Sequence, residues 1–373
     1  MKPNFPASQT KLDAPAKGPG STIKMSAHSI MSCYRCQSSV PPFIRGQCED
    51  CHYKQIAASD TIEPEELASA IATITAQNDA LNALMDGAII PTYADILDSK
   101  KLSVSERMND LVKLKTYEAE KNERKFCGNA YLYHYQFDNL CRTSRSKPNT
   151  SLYDVMTNGA FGGPAKLYKE TLKRERSGTT ADRMFNCFQV NRGAVVFFKP
   201  STAKWIYKKF GATHVLDPTA GWGGRMLGAW ALGIGYTGFD TNESLMPAYE
   251  GMINELPGED NIQMNFENCL TADFTTIPYD FVLTSPPYIN LELYEGMTPF
   301  ESDEKFYRQF LMPLITKCIT HCKPGGWVCF NISPKMYADL MVRGFRKPDE
   351  EHDLLQQKRM GVDKQDKIYC WKV

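Results

Sequence analysis

From Thr213 to Asp240 the chain reads THVLDPTAGWGGRMLGAWALGIGYTGFD. THVLDP (213–218) is a short β-rich run, RMLGAWALG (225–233) is helical, and YTGFD (236–240) is strand again. Outward from this unit the alternation continues. A helix fits near 244–255, and IQMNFEN (262–268), YDFVLTS (279–285) and GWVCFNIS (326–333) read as further strands. A helix fits about 303–321, and KIYCWKV (367–373) reads as a closing strand. Alternating strands and helices predict an α/β fold with a Rossmann-like, doubly wound, mostly parallel sheet. In such sheets ligands bind beyond the carboxyl ends of the strands, at the point where strand order reverses.

The turn LDPTAGWGGRMLGA (216–229) follows a predicted strand. Gly221, Gly223 and Gly224 allow a tight turn and let backbone N–H groups approach a ligand with no Cβ between. The next helix aims its N-terminus at that ligand. The spacing is G-x-G-G. It matches neither the dinucleotide fingerprint nor the phosphate loop. Asp240 ends the following strand, where a carboxylate can accept bonds from two ribose hydroxyls or can cap a helix. Together these features favour a nucleoside ligand without a long polyphosphate.

VLTSPPY (282–288) ends an apolar run on a hydroxyl, two prolines and an aromatic ring. An exocyclic aromatic amine is a poor nucleophile because its lone pair is delocalised into the ring. A site that methylates it needs acceptors beside its two N–H groups. Ser285 offers a hydroxyl and Pro286 a main-chain carbonyl. Pro287 restricts Pro286 to an extended conformation. Tyr288 offers a face on which a base can stack. An ordinary Pro-Pro loop is the structural alternative.

DPTAGWGGR, the acid of GFD, and TSPPY resemble the cofactor and catalytic motifs of amino-group DNA methyltransferases that use S-adenosylmethionine. Phage and mobile-element methylases are closest in wording. FFKPSTAKWIY (197–207) resembles the segment that precedes the first motif and covers the cofactor. KPGGWVCFNIS (323–333) resembles the turn and strand after the catalytic loop. The resemblance spans about 190–373. It implies that Asp217, Thr219, Ala220, Gly221 and Gly223 line the methionine part of the cofactor and that Asp240 holds its ribose. It implies that Phe198, Lys199 and Pro200 close over the cofactor, and that Ser285, Pro286, Pro287 and Tyr288 hold the target amine. The Ser-Pro-Pro-Tyr form implies N4 of cytosine ahead of N6 of adenine. RNA, a protein glutamine, or an inactive nucleic-acid-binding module are the alternatives. A C5-cytosine enzyme would need a Pro-Cys nucleophile, and none of the 12 cysteines follows a proline. About 65 residues separate the glycine turn from the corner, which leaves no room for an inserted recognition domain. The chain also ends on what should be the last strand. Target recognition is therefore expected from residues 30–195 or from INLELYEGMTPFES (289–302).

Upstream, residues 1–30 are rich in Lys, Pro, Ala, Gly and Ser and read as a disordered arm. Residues 31–56 hold Cys33-x2-Cys36-x11-Cys48-x2-Cys51. Two Cys-x2-Cys hairpins predict a closed, tetrahedral Zn²⁺ knuckle, with unliganded thiols as the alternative. Residues 57–190 read as a helical and basic region, with helices expected after Pro64, ending near Gly87, and over about 103–124. Within it, residues 142–192 carry ten Lys or Arg against four Asp or Glu, interleaved with Tyr153, Phe161, Tyr168, Phe185 and Phe188. That pattern fits a solvated helical face, or a DNA-facing surface that holds a flipped base in the catalytic corner. Residues 191–373 form the expected methyltransferase domain. The 373-residue chain carries 43 basic and 43 acidic side chains, so any basic face must be local. No apolar run reaches the ~18 residues that span a bilayer, and no signal-peptide pattern opens the chain. A soluble, cytoplasmic protein with DNA as partner is the expectation.

Overall fold

The computed structural model describes residues 64–118, 126–145, 150–174, 176–192, 195–288, 292–293, 300–354 and 366–373. The arm at 1–30 and the cysteine knuckle at 31–56 lie outside the described residues, as does most of 289–302. The chain divides into two compact units, 1–77 and 78–373. Helix α1 (Pro64–Met85) begins in the first and ends in the second, with Pro64 at its first position.

In the second unit, α2 (Tyr93–Asp98), α3 (Val104–Thr116), α4 (Asn129–Arg142), α5 (Leu152–Thr157), α6 (Gly163–Leu172) and α7 (Thr180–Arg192) precede the sheet. Ser103 caps α3 in a reciprocal box with Glu106, and the helix ends at Thr116, short of the expected 124. Then come α8 (Pro200–Phe210), β1 (His214–Asp217), α9 (Gly224–Trp230), β2 (Gly235–Phe239), α10 (Met246–Glu255), β3 (Ile262–Asn265) and β4 (Phe281–Thr284). The chain continues through α11 (Asp303–Phe306), a π turn (Tyr307–Leu311), α12 (Met312–His321), β5 (Trp327–Ile332), α13 (Pro334–Val342), β6 (Glu350–Asp353) and β7 (Lys367–Lys372). The seven strands lie in the order β3-β2-β1-β4-β5-β7-β6. The first five are parallel, and β7 is antiparallel to both β5 and β6. This is the Rossmann-like, doubly wound, mostly parallel α/β sheet that the alternation of elements leads one to expect. No helix of the described residues is long and apolar enough to cross a membrane.

Each central strand is buried on both faces, which is why these strands read as unbroken apolar runs. Phe281, Leu283, Cys329, Ile368 and Cys370 point into one core; Val282, Val328, Phe330, Tyr369 and Trp371 point into the other. That is the period-2 alternation of strand side chains. The first core continues without a break into α2–α7 through Ile96, Leu111, Leu114, Leu132, Phe137 and Phe188. The second is closed by α11–α13 through Phe306, Leu311, Leu314, Ile315 and Leu340.

Polar ties also join the helices to the sheet layer. Arg107 forks onto Glu255 at the end of α10, with N–O distances of 2.6–3.0 Å, and the Tyr135 hydroxyl donates to the same carboxylate at 2.7 Å. Asp110 accepts from the N–H groups of Gly128 and Tyr131 at 3.1 and 3.0 Å, which satisfies the start of α4. The buried Lys204 ammonium of α8 donates to the carbonyls of Leu114, Lys115 and Tyr117 at 3.0, 2.8 and 2.7 Å. It closes the end of α3 from a helix 90 residues further on. The 190/191 division read from the sequence marks a change of pattern, and packing crosses it.

The aromatic residues of 142–192 serve the core, while the surface on which their cations lie is a separate matter. Phe185 and Phe188 are buried, Phe161 and Tyr168 pack against the same core, and Tyr153 meets the Tyr93 ring edge-on. Several of the cations there are engaged locally. Arg183 donates to the carbonyls of Thr171 and Arg174, Arg174 donates to Asn191, and Arg142 pairs with Asp138 over the Tyr153 ring.

Candidate active site at the carboxyl edge of the sheet

Strands β1 and β4 are parallel neighbours, with Val215 beside Phe281 and Leu216 beside Val282. They flank the point where strand order reverses, the place at which sheets of this kind take a ligand in the crevice between the segments leaving the strands. Those segments are the glycine turn and the Ser-Pro-Pro-Tyr corner. Thr284, the last residue of β4, locks them together. Its hydroxyl donates to Asp217 Oδ1 at 2.8 Å and accepts the Thr219 N–H at 3.1 Å. Thr219 Oγ1 lies 2.7 Å from the same oxygen. A hydroxyl has one proton, and Thr284 has given its own to a carboxylate, so Thr219 is the donor in that bond. The lone pairs of Thr219 are left for whatever enters the crevice.

Asp217 is 0% exposed, which corrects its sequence-based placement against the cofactor. Besides Thr284 it accepts from Arg225 Nε at 2.7 Å and from the Tyr236 hydroxyl at 2.8 Å. Arg225 also donates to the Thr219 carbonyl. Burial works against the guanidinium's charge, yet the Asp217 carboxylate outweighs it and holds Arg225 above its ordinary pKa. Asp217 supports the turn from beneath.

In the turn itself, Gly221 and Gly223 have φ of +58° and +87°, in the left-handed region that favours glycine. The Ala220 N–H donates to the Phe239 carbonyl at 2.8 Å, fastening the turn to the end of β2. The Gly221 N–H donates to Asp240 Oδ2 at 2.7 Å and the Asn242 N–H to Oδ1 at 2.9 Å. Burial raises the Asp240 pKa, and these two N–H groups oppose it by favouring the carboxylate. Each carboxylate oxygen retains a second lone-pair direction, enough for a diol.

The segment Phe198-Lys199-Pro200 lies against this turn. A Cβ on Gly224 would stand 1.9 Å from the Phe198 carbonyl oxygen, so α9 starts in backbone contact with the segment. The Phe198 ring is buried, with the Arg225 guanidinium 5.2 Å from its centre, and buried Pro200 opens α8. Lys199 extends over the Phe126 ring at 4.5 Å. Gly224→Ala is expected to destabilise the protein by roughly 1–3 kcal/mol, because backbone must move to admit the methyl group. It should also weaken binding in the crevice. Thermal unfolding and ligand calorimetry on the variant check both.

At the corner, Ser285 is half-buried, Pro286 is buried, and Pro287 and Tyr288 are half-buried. Tyr288 packs against the second core. Ser285 Oγ lies 3.1 Å from Asn331 Oδ1 on β5. Beyond the corner, Leu293 and Glu292 pair antiparallel with Ser144 and Arg145, so the following loop is stitched to the segment after α4. Sequence reasoning did not single out Thr284, Arg225, Tyr236 or Asn331. The available signal was a polar residue ending or interrupting a buried apolar strand, as Thr284 does in VLTS and Asn331 in VCFNIS.

Cys33, Cys36, Cys48 and Cys51 lie outside the described residues; among those described, no group of three or more His, Cys, Asp or Glu side chains could hold a metal ion.

No family model and no curated protein matches the chain. Among solved structures, an rRNA methylase from Streptococcus thermophilus is 13% identical over 48% of this chain and 97% of its own, with a TM-score of 0.33. An RNA methyltransferase from Salinibacter ruber in complex with S-adenosyl-L-homocysteine is 16% identical over 48% and 92%, with a TM-score of 0.30. A SAM-dependent O-methyltransferase from Thermotoga maritima is 12% identical over 50% and 70%, with a TM-score of 0.35.

Proposed function

We propose that this protein transfers a methyl group from S-adenosylmethionine to an exocyclic amine of a DNA base, N4 of cytosine ahead of N6 of adenine. The observation that carries the reading is the Thr284 lock, which sets the glycine turn and the Ser-Pro-Pro-Tyr corner side by side at the strand-order reversal. A turn able to take a nucleoside and a corner able to take an amine then share one crevice.

The chain's residues fit the cofactor at three points. Thr219 presents lone pairs, Gly221 and Gly223 keep Cβ atoms off the turn at their two positions, and Asp240 presents unused lone pairs to a diol. S-adenosylmethionine supplies an electrophilic methyl group when bound. The rest falls to the protein. Ser285 and the Pro286 carbonyl accept hydrogen bonds from the amine, favouring a pyramidal nitrogen with its lone pair exposed. Tyr288 supports the base. The chemistry needs no strong general base, because the amine becomes acidic as its bond to carbon forms.

A labelled-methyl assay on DNA, RNA and protein, followed by nucleoside mass spectrometry, tests the proposal. N4-methylcytosine in DNA is expected. N6-methyladenine would overturn the choice of base, label confined to RNA or to protein glutamine would overturn the substrate class, and no label anywhere would leave a binding module.

The cysteine spacing adds a separate proposal: Cys33, Cys36, Cys48 and Cys51 hold one structural Zn²⁺. Metal analysis of the purified chain should find one zinc per molecule, and Cys36→Ser with Cys48→Ser should abolish it. A full zinc content in that double variant would place the metal elsewhere.

A further inference from the structure

Ser285 is asked to act as an acceptor, yet a serine hydroxyl is also a donor. A hydroxyl has one proton and two lone pairs, and it rotates to suit its surroundings. A serine free to turn can aim its proton at the amine lone pair and block the very orbital that must react. An aspartate at this position would have no proton to misdirect. A serine needs something to hold its proton away.

The structure contains such a group. Asn331 is 3% exposed on β5, the strand beside β4. Its Nδ2 donates to the Lys367 carbonyl at 3.1 Å, and its Oδ1 lies 3.1 Å from Ser285 Oγ. The Lys367 carbonyl can only accept, so the amide must turn its NH₂ that way; the flipped form would set two acceptors against each other. The oxygen therefore faces Ser285, and an amide oxygen can only accept. We propose that Asn331 is a positioning residue. It takes the single proton of Ser285 and leaves the hydroxyl facing the crevice as a pure acceptor, so that serine does what a carboxylate would do without a second buried charge. The inference rests on the amine-methylation reading for its purpose, and on the Lys367–Asn331–Ser285 chain for its geometry.

The test has two arms. In the kinetic arm, Asn331→Leu in the full chain should lower kcat for DNA methylation roughly 10- to 100-fold, the effect of losing one buried hydrogen bond to a reacting group. KM for DNA and S-adenosylmethionine affinity should stay within about twofold. In a Ser285→Ala background, where there is no hydroxyl to orient, the same substitution should change kcat by less than about twofold. An equal loss in both backgrounds would show a merely structural asparagine and overturn the proposal. The second arm is neutron diffraction from deuterated wild-type crystals. It should find the Ser285 deuteron between Oγ and Asn331 Oδ1; a deuteron directed into the crevice overturns the proposal whatever the enzyme methylates. A wild-type protein that methylates nothing would overturn the proposed function, while the neutron map would still judge the proton's position.

Discussion

Ser285→Ala should lower methyl transfer by roughly 10²- to 10³-fold in kcat while leaving S-adenosylmethionine affinity within about twofold, as is usual when one preorganised partner of a developing charge is removed. The separation follows from the layout. The cofactor-facing groups proposed above, Thr219, the Gly221–Gly223 backbone and Asp240, belong to the β1 and β2 ends, and Ser285 belongs to the β4 end. The two share Thr284 and Asp217 beneath them, which the substitution leaves alone. Calorimetry with S-adenosylmethionine and single-turnover transfer on the same preparation measure the two effects. A comparable loss in both would mean that Ser285 is part of the cofactor site, and the division of roles would have to be redrawn.

Arg225→Met should destabilise the fold by about 3–5 kcal/mol, the size expected when one partner of a buried ion pair is lost. Asp217 is fully buried, and the Thr284 and Tyr236 hydroxyls that remain bring no positive charge. Urea unfolding of the variant gives the value. Adding Asp217→Asn should recover part of the loss, since a neutral amide requires no counter-ion and keeps an oxygen for Thr284. A cost under about 1 kcal/mol for the single variant would mean that water reaches Asp217 and that the base of the crevice is open.

The strands with two buried faces were legible from residues alone, because YDFVLTS, GWVCFNIS and KIYCWKV are apolar runs bounded by turn residues. Two elements near the C-terminus were not. Strand β6 is Glu-Glu-His-Asp, an edge strand with no apolar alternation, and α13 is a nine-residue helix directly after a strand. Their insertion makes the last strand antiparallel. The glycine turn and the double-proline corner were visible as motifs, but a motif does not say which way a side chain turns. Asp217 looked like a ligand contact and is internal, because Arg225, Tyr236 and Thr284 converge on it from three separate elements. The cations around the aromatic residues of 142–192 left two readings open, a solvated helical face or a DNA-facing surface, and did not say which side the rings take. Helical periodicity carries Phe185 and Phe188 to the inner face of α7.

The reach of Lys204 into the end of α3 bears on how such a chain can change over generations. A catalytic half and a recognition half joined by a loose tether can be exchanged between lineages like cartridges. Here the Lys204 ammonium of α8, beside the sheet, is seated on three carbonyls at the end of α3. Swapping the helices before the sheet for foreign ones would leave that largely buried charge without its partners. This scaffold should therefore accept change by substitution along existing helices more readily than by wholesale replacement of them.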